Sequence, residues 1–265
     1  MKPVQVDSPF GVLRGVRGGQ GPTLVLLHAN GLSSAEFERV MPLLAPHCDV
    51  IAWDQPGHGH AGADTGACSN SGRVTDCSAA LDLFLAGLGV ERATLAGSSI
   101  GAFVAVDLAR RRPDRVSGVS LIEAQWRTRE WWQERWPLVE KMFATAMLTR
   151  EQVAARVTGP VEDSLLQSWN RDRQRAGPQL MLDVMRSLAE YDLGAALAGL
   201  STPLQLVYGE RSPTVDNASV LHAQRADAAL VIIEAAGHYP ALDAPAMLAR
   251  HLLEFTNCCA RAEQR

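Results

Sequence analysis

The 265-residue sequence predicts an α/β fold: a mostly parallel central sheet with helices on both faces and one helical insertion. Three observations predict it. Short, nearly continuous apolar runs alternate with helical stripes through most of the chain. Each run ends in glycine, asparagine or an ionisable residue, and residues 124–200 hold helical patterns without a convincing strand. Uninterrupted hydrophobe suits strands buried on both faces, as in parallel sheets, and their carboxyl ends are where such sheets place ligands.

The elements follow in order. Residues 4–6 and 12–16 flank Asp7-Ser8-Pro9-Phe10-Gly11, a turn-rich link that reads as an antiparallel hairpin. Six apolar runs follow: Thr23-Leu24-Val25-Leu26-Leu27, Val50-Ile51-Ala52-Trp53, Ala93-Thr94-Leu95-Ala96, residues 116–122, Leu204-Gln205-Leu206-Val207-Tyr208, and Leu230-Val231-Ile232-Ile233. Val74, Cys77, Leu81, Phe84, Leu85 and Leu88 recur at three- and four-residue steps and form one helical stripe. Residues 245–255 suit a final helix over the sheet. The domain division expected is a core of residues 1–123 and 201–265, with residues 124–200 as a helical cap. An insertion that long exceeds any ordinary loop. Five of the six tryptophans fall within it: Trp126, Trp131, Trp132, Trp136 and Trp169.

Composition narrows the function classes. Twenty-five Lys plus Arg against 29 Asp plus Glu leave a net charge of −4, and no basic block is present, which argues against nucleic acid as a partner. No run of about 18 apolar residues exists to span a membrane. The first residues lack the apolar core of a signal peptide, and five cysteines without CxxC spacing indicate neither a disulfide framework nor a zinc site. A cytoplasmic location with free thiols is expected. Asn217-Ala218-Ser219 matches a glycosylation sequon, which carries no weight without a secretory signal.

The sharpest local signal is Gly97-Ser98-Ser99-Ile100-Gly101, of the form G-x-S-x-G, directly after a strand and before a helix-like run. A serine at such a bend needs small neighbours two residues to either side, and the turn lifts its Oγ clear of the sheet beside a helix N-terminus. A serine at its ordinary pKa is a poor nucleophile and needs a base. His238, in Ala236-Gly237-His238-Tyr239-Pro240 after the last strand, is the best placed of seven histidines. His28 ends the first apolar run and reads as a structural donor. His58 and His60 form an H-x-H in a glycine-rich turn that reads as turn filling rather than a metal site, and Asp54 reads as a backbone-bonding residue there. His47, His222 and His251 read as surface or packing residues.

Four segments together, His28-Ala29-Asn30-Gly31, Asp54-Gln55-Pro56-Gly57-His58-Gly59, the Ser99 motif and Gly237-His238, are similar to the α/β-hydrolase superfamily. The resemblance runs from about Gly11 to Phe255. It implies a nucleophile–acid–histidine order and an oxyanion hole of two backbone N–H groups, from Ile100 and from Asn30. Ala29 stands where the family usually has glycine. The family usually places an aspartate three residues after the glycine that ends the penultimate strand, and here that residue is Ser212, in Gly209-Glu210-Arg211-Ser212. Two acids are left: Glu123, at the end of the strand before the insertion, a location used by haloalkane-dehalogenase-like members, and Asp216, four residues beyond the vacancy. Glu123 is preferred because it emerges from a rigid strand. A Ser-His dyad without a carboxylate is the third arrangement.

The resulting expectation is a serine hydrolase cleaving a small carboxylic ester, thioester or lactone through an acyl-enzyme, with no metal and no organic cofactor. Apolar and aromatic cap residues would bind the small-molecule substrate, with Trp126, three residues beyond Glu123, and Trp132 as candidates. A homo-oligomer is compatible with the sequence but not specified by it. Serine rather than aspartate at position 99 argues against dehalogenase and epoxide-hydrolase chemistry. Two alternatives stay open: C–C bond hydrolysis, elimination or cyclisation of a specialised metabolite on the same fold, and a non-catalytic ligand-binding member.

Overall fold

The computed structural model describes residues 1–62 and 72–262. Its strands are β1 (Lys2–Ser8), β2 (Gly11–Gly18), β3 (Thr23–Leu27), β4 (Asp49–Asp54), β5 (Ala93–Ser98), β6 (Val116–Ile122), β7 (Leu204–Gly209) and β8 (Ala229–Ile233). They form one eight-stranded sheet in the order β1-β2-β4-β3-β5-β6-β7-β8. β1 pairs antiparallel with β2, and β2 with β4; every other pairing is parallel. The chain steps from β3 to β4 on one side and to β5 on the other. The loops leaving β3 and β5 therefore diverge, which opens a crevice at their carboxyl ends.

The helices are α1 (Met41–Leu44), α2 (Val74–Gly87), α3 (Ile100–Arg111), α4 (Arg129–Phe143), α5 (Arg150–Ala154), α6 (Asp163–Glu190), α7 (Leu193–Ala198), α8 (Asp216–Gln224), α9 (Pro240–Asp243) and α10 (Pro245–Ala262). The two-residue period of the strands sorts the core into two layers. Val25, Leu27, Leu95, Leu121 and Leu206 face α2, α3 and α7, packing with Leu81, Phe84 and Val104. Leu24, Leu26, Ala96, Ile122 and Val207 face the other way, onto α1 and α10, against Leu44, Leu248 and Leu252. Each such side chain, fully withdrawn from water, contributes about 1.5–3 kcal/mol relative to exposure.

β8 departs from the expectation of burial on both faces. It closes the sheet at one edge, and Leu230 and Ile232 remain 40% and 45% exposed. Helices α4 to α7 fill the interval between β6 and β7. Thr128 caps α4 by accepting the Trp131 N–H, and Thr149 and Gln152 form a capping box on α5. α6 is broken at Gly177 (φ 75°, ψ 155°), because the ring of Pro178 excludes helical backbone from the residue before it. A third apolar cluster joins this insertion to the core through Ala29, Leu32, Leu148, Val153, Trp169 and Tyr239. Of the cysteines, Cys68 lies outside the described residues; Cys48, Cys77, Cys258 and Cys259 form no disulfide among the described residues.

Candidate active site

Ser99 sits at the crevice, between the last residue of β5 and the first of α3. Its backbone is at φ 52°, ψ −110°, a conformation that costs a non-glycine residue about 1–3 kcal/mol. The bend is held by Ser99 N–H donating to Ile122 O (2.9 Å) and Ala102 N–H donating to Ser99 O (3.1 Å). The flanking glycines are sterically required. A Cβ at Gly97 would lie 2.2 Å from the carbonyl carbon of Gly101, and one at Gly101 would lie 2.3 Å from Leu27 O.

His238 is buried on the loop after β8, where its N–H donates to Arg156 O of the insertion (2.7 Å). The neighbouring Gly237 N–H donates to Asp243 Oδ2 (2.8 Å), while Asp243 Oδ1 accepts the Thr158 N–H (3.0 Å). The histidine loop and the insertion are thereby tied together. His238 Nδ1 lies 3.3 Å from Glu123 Oε2, 3.1 Å from Thr214 Oγ1 and 3.4 Å from Ser212 Oγ.

Glu123 is wholly buried, so its charge requires donors. It has them: Gly209 N–H to Oε1 (2.6 Å), Ser212 Oγ–H to Oε2 (2.6 Å), and the Thr214 hydroxyl to Oε2. Its backbone adopts φ 54°, which turns the chain out of β6 toward the histidine loop. Asp216, the other sequence candidate, is exposed in the first turn of α8, and its carboxylate makes no hydrogen bond or ion pair with His238 among the described residues. Ser212, in the vacant acid position, and Thr214 were not foreseen as ligands of the carboxylate. Their signal in the sequence is a Ser-Pro-Thr stretch placing two hydroxyls where an aspartate was missing.

The two amide positions read from the resemblance flank Ser99. Ile100 is the first residue of α3, where a helix leaves its N–H without an intrahelical acceptor. Asn30 lines the same cavity as Ser99, and its side chain is occupied, with Nδ2 donating to Met181 O (3.0 Å). Behind it Glu36, on the 3-10 turn Ser34–Phe37, accepts the Ala29 N–H (2.8 Å) and bonds the Ser98 hydroxyl. One carboxyl group thus spans the loop after β3 and the end of β5. Burial pushes its pKa up to about 7, opposed by those two bonds. His28 is buried beneath the cavity as a neutral ring: Nδ1 faces Ala29 O (2.8 Å) and Nε2 accepts the Gln55 N–H (3.0 Å). His58 packs on it at 5.2 Å between ring centroids, and burial brings its pKa down to about 3. His60 is exposed, and Asp54 accepts the Ser34 and His60 N–H groups at 2.7 and 3.0 Å.

Ser99, Asn30 and His238 open onto one cavity of about 220 Å³, below the roughly 300–1,000 Å³ of ordinary ligand pockets. Its walls are Trp131, Trp132, Phe143 and Trp169 from the insertion, with Tyr239, Gln125, Arg156 and Arg173. Trp132 lines this cavity and an adjoining cleft as well. Trp126 lies outside the cavity and lines that cleft with Arg127, Tyr191 and Leu193. Asn217 Oδ1 accepts the backbone N–H of Trp126 (2.9 Å), which ties that residue to α8.

Comparisons with known proteins agree with this fold. A family model described as the alpha/beta hydrolase fold matches residues 22–245. Pimeloyl-[acyl-carrier protein] methyl ester esterases of Chromobacterium violaceum and Aeromonas hydrophila are 31% and 30% identical; the alignments cover 88% and 86% of this chain and 95% and 93% of theirs. Among solved structures, a thermophilic esterase from Thermogutta terrifontis superposes with a TM-score of 0.77 at 20% identity, over 98% of this chain and 99% of its own. A haloalkane dehalogenase from Bradyrhizobium elkanii superposes with a TM-score of 0.79 at 22% identity, over 98% and 99%. The chain belongs to the α/β-hydrolase family.

Proposed function

We propose that this protein hydrolyses a small carboxylic ester through an acyl-enzyme, with Ser99 as nucleophile, His238 as general base and acid, and Glu123 as the carboxylate that orients the imidazole. The observation that carries this reading is the strained Ser99 elbow sharing one cavity with His238, whose Nδ1 faces a buried carboxylate. Ser99 Oγ adds to the ester carbonyl while His238 Nε2 takes its proton. The Asn30 and Ile100 N–H groups stabilise the oxyanion, an effect typically of about 3–4 kcal/mol per donor. The alcohol leaves with the proton from His238, and water then cleaves the acyl-enzyme by the same two proton transfers. Every step uses groups of this chain and water alone. The methyl ester named in the relatives supports a small alcohol as leaving group, and the small cavity supports a compact acyl chain. Residues 124–200 act as a cap that supplies the aromatic wall.

No helix among the described residues is long and apolar enough to cross a membrane, and we assign the reaction to the cytoplasm, where the free cysteines stay reduced. The test is turnover of short aryl esters by the wild type and by Ser99→Ala, with labelling by a fluorophosphonate. Turnover should fall by at least about a thousandfold, and the label should map to Ser99. Unchanged turnover in the variant would refute the assignment.

A further inference from the structure

We propose that the cavity contains an anion-binding subsite built by Arg173 and Arg156, so that the ester this protein cleaves carries, besides its scissile group, an anionic oxygen group, carboxylate or phosphate. This rests on the esterase reading above and specifies its substrate class.

Arg173, on α6, is only 4% exposed yet lines the cavity that holds Ser99 and His238. Its Nη2 donates to Thr145 O (3.0 Å) and Met142 O (3.4 Å), which caps the end of α4. That structural task uses one nitrogen of three. Nε is buried without an acceptor, and the hydrogen bonds of the guanidinium among the described residues come from Nη2. The guanidinium lies against the loop of Asn30, since a Cβ at Gly31 would come within 3.3 Å of Nη1.

No carboxylate neutralises it. Neither Arg173 nor Arg156 forms an ion pair among the described residues, and the acids nearby are committed elsewhere. Asp172 takes the Ser33 hydroxyl (2.5 Å) and faces Arg175, Glu123 holds its hydroxyl pair, and Glu36 holds Ala29 and Ser98. Arg156 lines the same cavity, anchored through its carbonyl to the His238 N–H. Burial is the main effect opposing the charge on Arg173; Tyr239 favours that charge, and the nearby Arg156 opposes it to a smaller degree. Guanidinium groups remain protonated in proteins, so Arg173 keeps its charge beside the Phe143 ring, 5.4 Å from its centroid, with no paired carboxylate among the described residues. The half-buried Arg156 donates to Gln152 O and Met142 Sδ. A buried cation without a paired anion is destabilising. An anionic oxygen group that accepts from Nη1, on the side of the guanidinium that faces the Asn30 loop, would supply the missing negative charge.

The test compares methyl esters of equal chain length ending in methyl, carboxylate or phosphate, using the full chain and Arg173→Gln, Arg173→Lys and Arg156→Gln. The wild type should prefer one anionic ester over the neutral one by about 10- to 100-fold in kcat/KM, carried by KM, and the preferred ester distinguishes carboxylate from phosphate. Arg173→Gln should erase most of that preference, and Arg173→Lys should restore part of it. Equal turnover of neutral and anionic esters, or a variant that lowers both alike, would overturn the subsite while leaving the esterase reading intact. If no ester is turned over, the esterase reading fails and binding decides the subsite. Free dicarboxylate or inorganic phosphate should then raise the melting temperature of Ser99→Ala, an effect lost when Arg173→Gln is added. No shift would overturn the proposal.

Discussion

Glu123 shows how one side chain can satisfy conflicting demands. A carboxylate with no solvent contact is tolerable only when donors replace water, and an amide and two hydroxyls do so here. The same donors leave Oε2 3.3 Å from His238 Nδ1, where in the proposed mechanism a negative charge would stabilise the imidazolium formed during acyl transfer. Glu123→Gln keeps the shape and removes the charge. Steady-state kinetics should show kcat reduced about 10²- to 10⁴-fold with KM little changed, and a loss confined to KM would assign Glu123 to binding instead. Ser212 lies 3.4 Å from the same nitrogen, so an aspartate there comes near it too. Adding Ser212→Asp to Glu123→Gln should recover part of kcat, and a double variant no better than the single would show that this position cannot support the imidazole. Ser99 and His238 were legible because each sits in a local motif with glycine neighbours. The proposed acid was legible only as one of two candidates beside a dyad without any carboxylate, because its hydroxyl partners lie about ninety positions away in sequence and His238 lies farther still. Arg173 and Glu36 gave no local signal, since what distinguishes them is the absence or presence of tertiary partners.

At the scale of elements, the bend between β5 and α3 depends on how closely that helix approaches the neighbouring strand. Gly101 abuts the carbonyl of Leu27, a backbone atom fixed in the sheet beside β5, so an added methyl has no flexible neighbour to displace. Gly101→Ala should therefore destabilise the protein by about 1–3 kcal/mol, read as a lower midpoint in urea, and should reduce kcat by shifting Ser99. A variant with unaltered stability would mean that α3 can slide without cost. The strands were legible as apolar runs, but β8 was read as doubly buried because four hydrophobes in a row do not reveal that a strand is the last in its sheet. The break in α6 is written locally, in Gly177-Pro178, whereas the displacement of Trp126 is not. The backbone N–H of Trp126 bonds to Asn217, which lies beyond the whole insertion and whose only local signal is a sequon.

For the molecule as a whole, the buried ionisable groups beneath the cavity set how stability follows pH. His58 titrates near 3 when folded against 6.5 as its ordinary value, chiefly through burial and then the proximity of His28, whose own pKa burial also lowers. Between those pH values the unfolded chain binds the extra proton, so the His58 contribution is complete above pH 6.5 and is lost on acidification, by about 5 kcal/mol in all. Glu36 acts in the opposite sense. Its pKa of about 7 lies above the ordinary 4.5, so the folded state holds the extra proton in that window, and its contribution is complete below pH 4.5 and declines by about 3 kcal/mol as pH rises to 7. The two slopes offset one another from about pH 4.5 to 6.5, leaving His28 to tilt the curve, and below 4.5 only the histidine losses remain. Against a typical total of about 5–15 kcal/mol, this predicts a steep acid limit to folding with a shallow dependence near neutrality. Glu36→Gln isolates the opposing term, because a glutamine resembles the protonated acid at every pH. Urea melts from pH 4 to 8 should show the variant gaining on the wild type by about 3 kcal/mol between pH 4.5 and 7, and a constant difference across that range would mean that Glu36 stays ionised in the fold, held by the Ala29 and Ser98 donors.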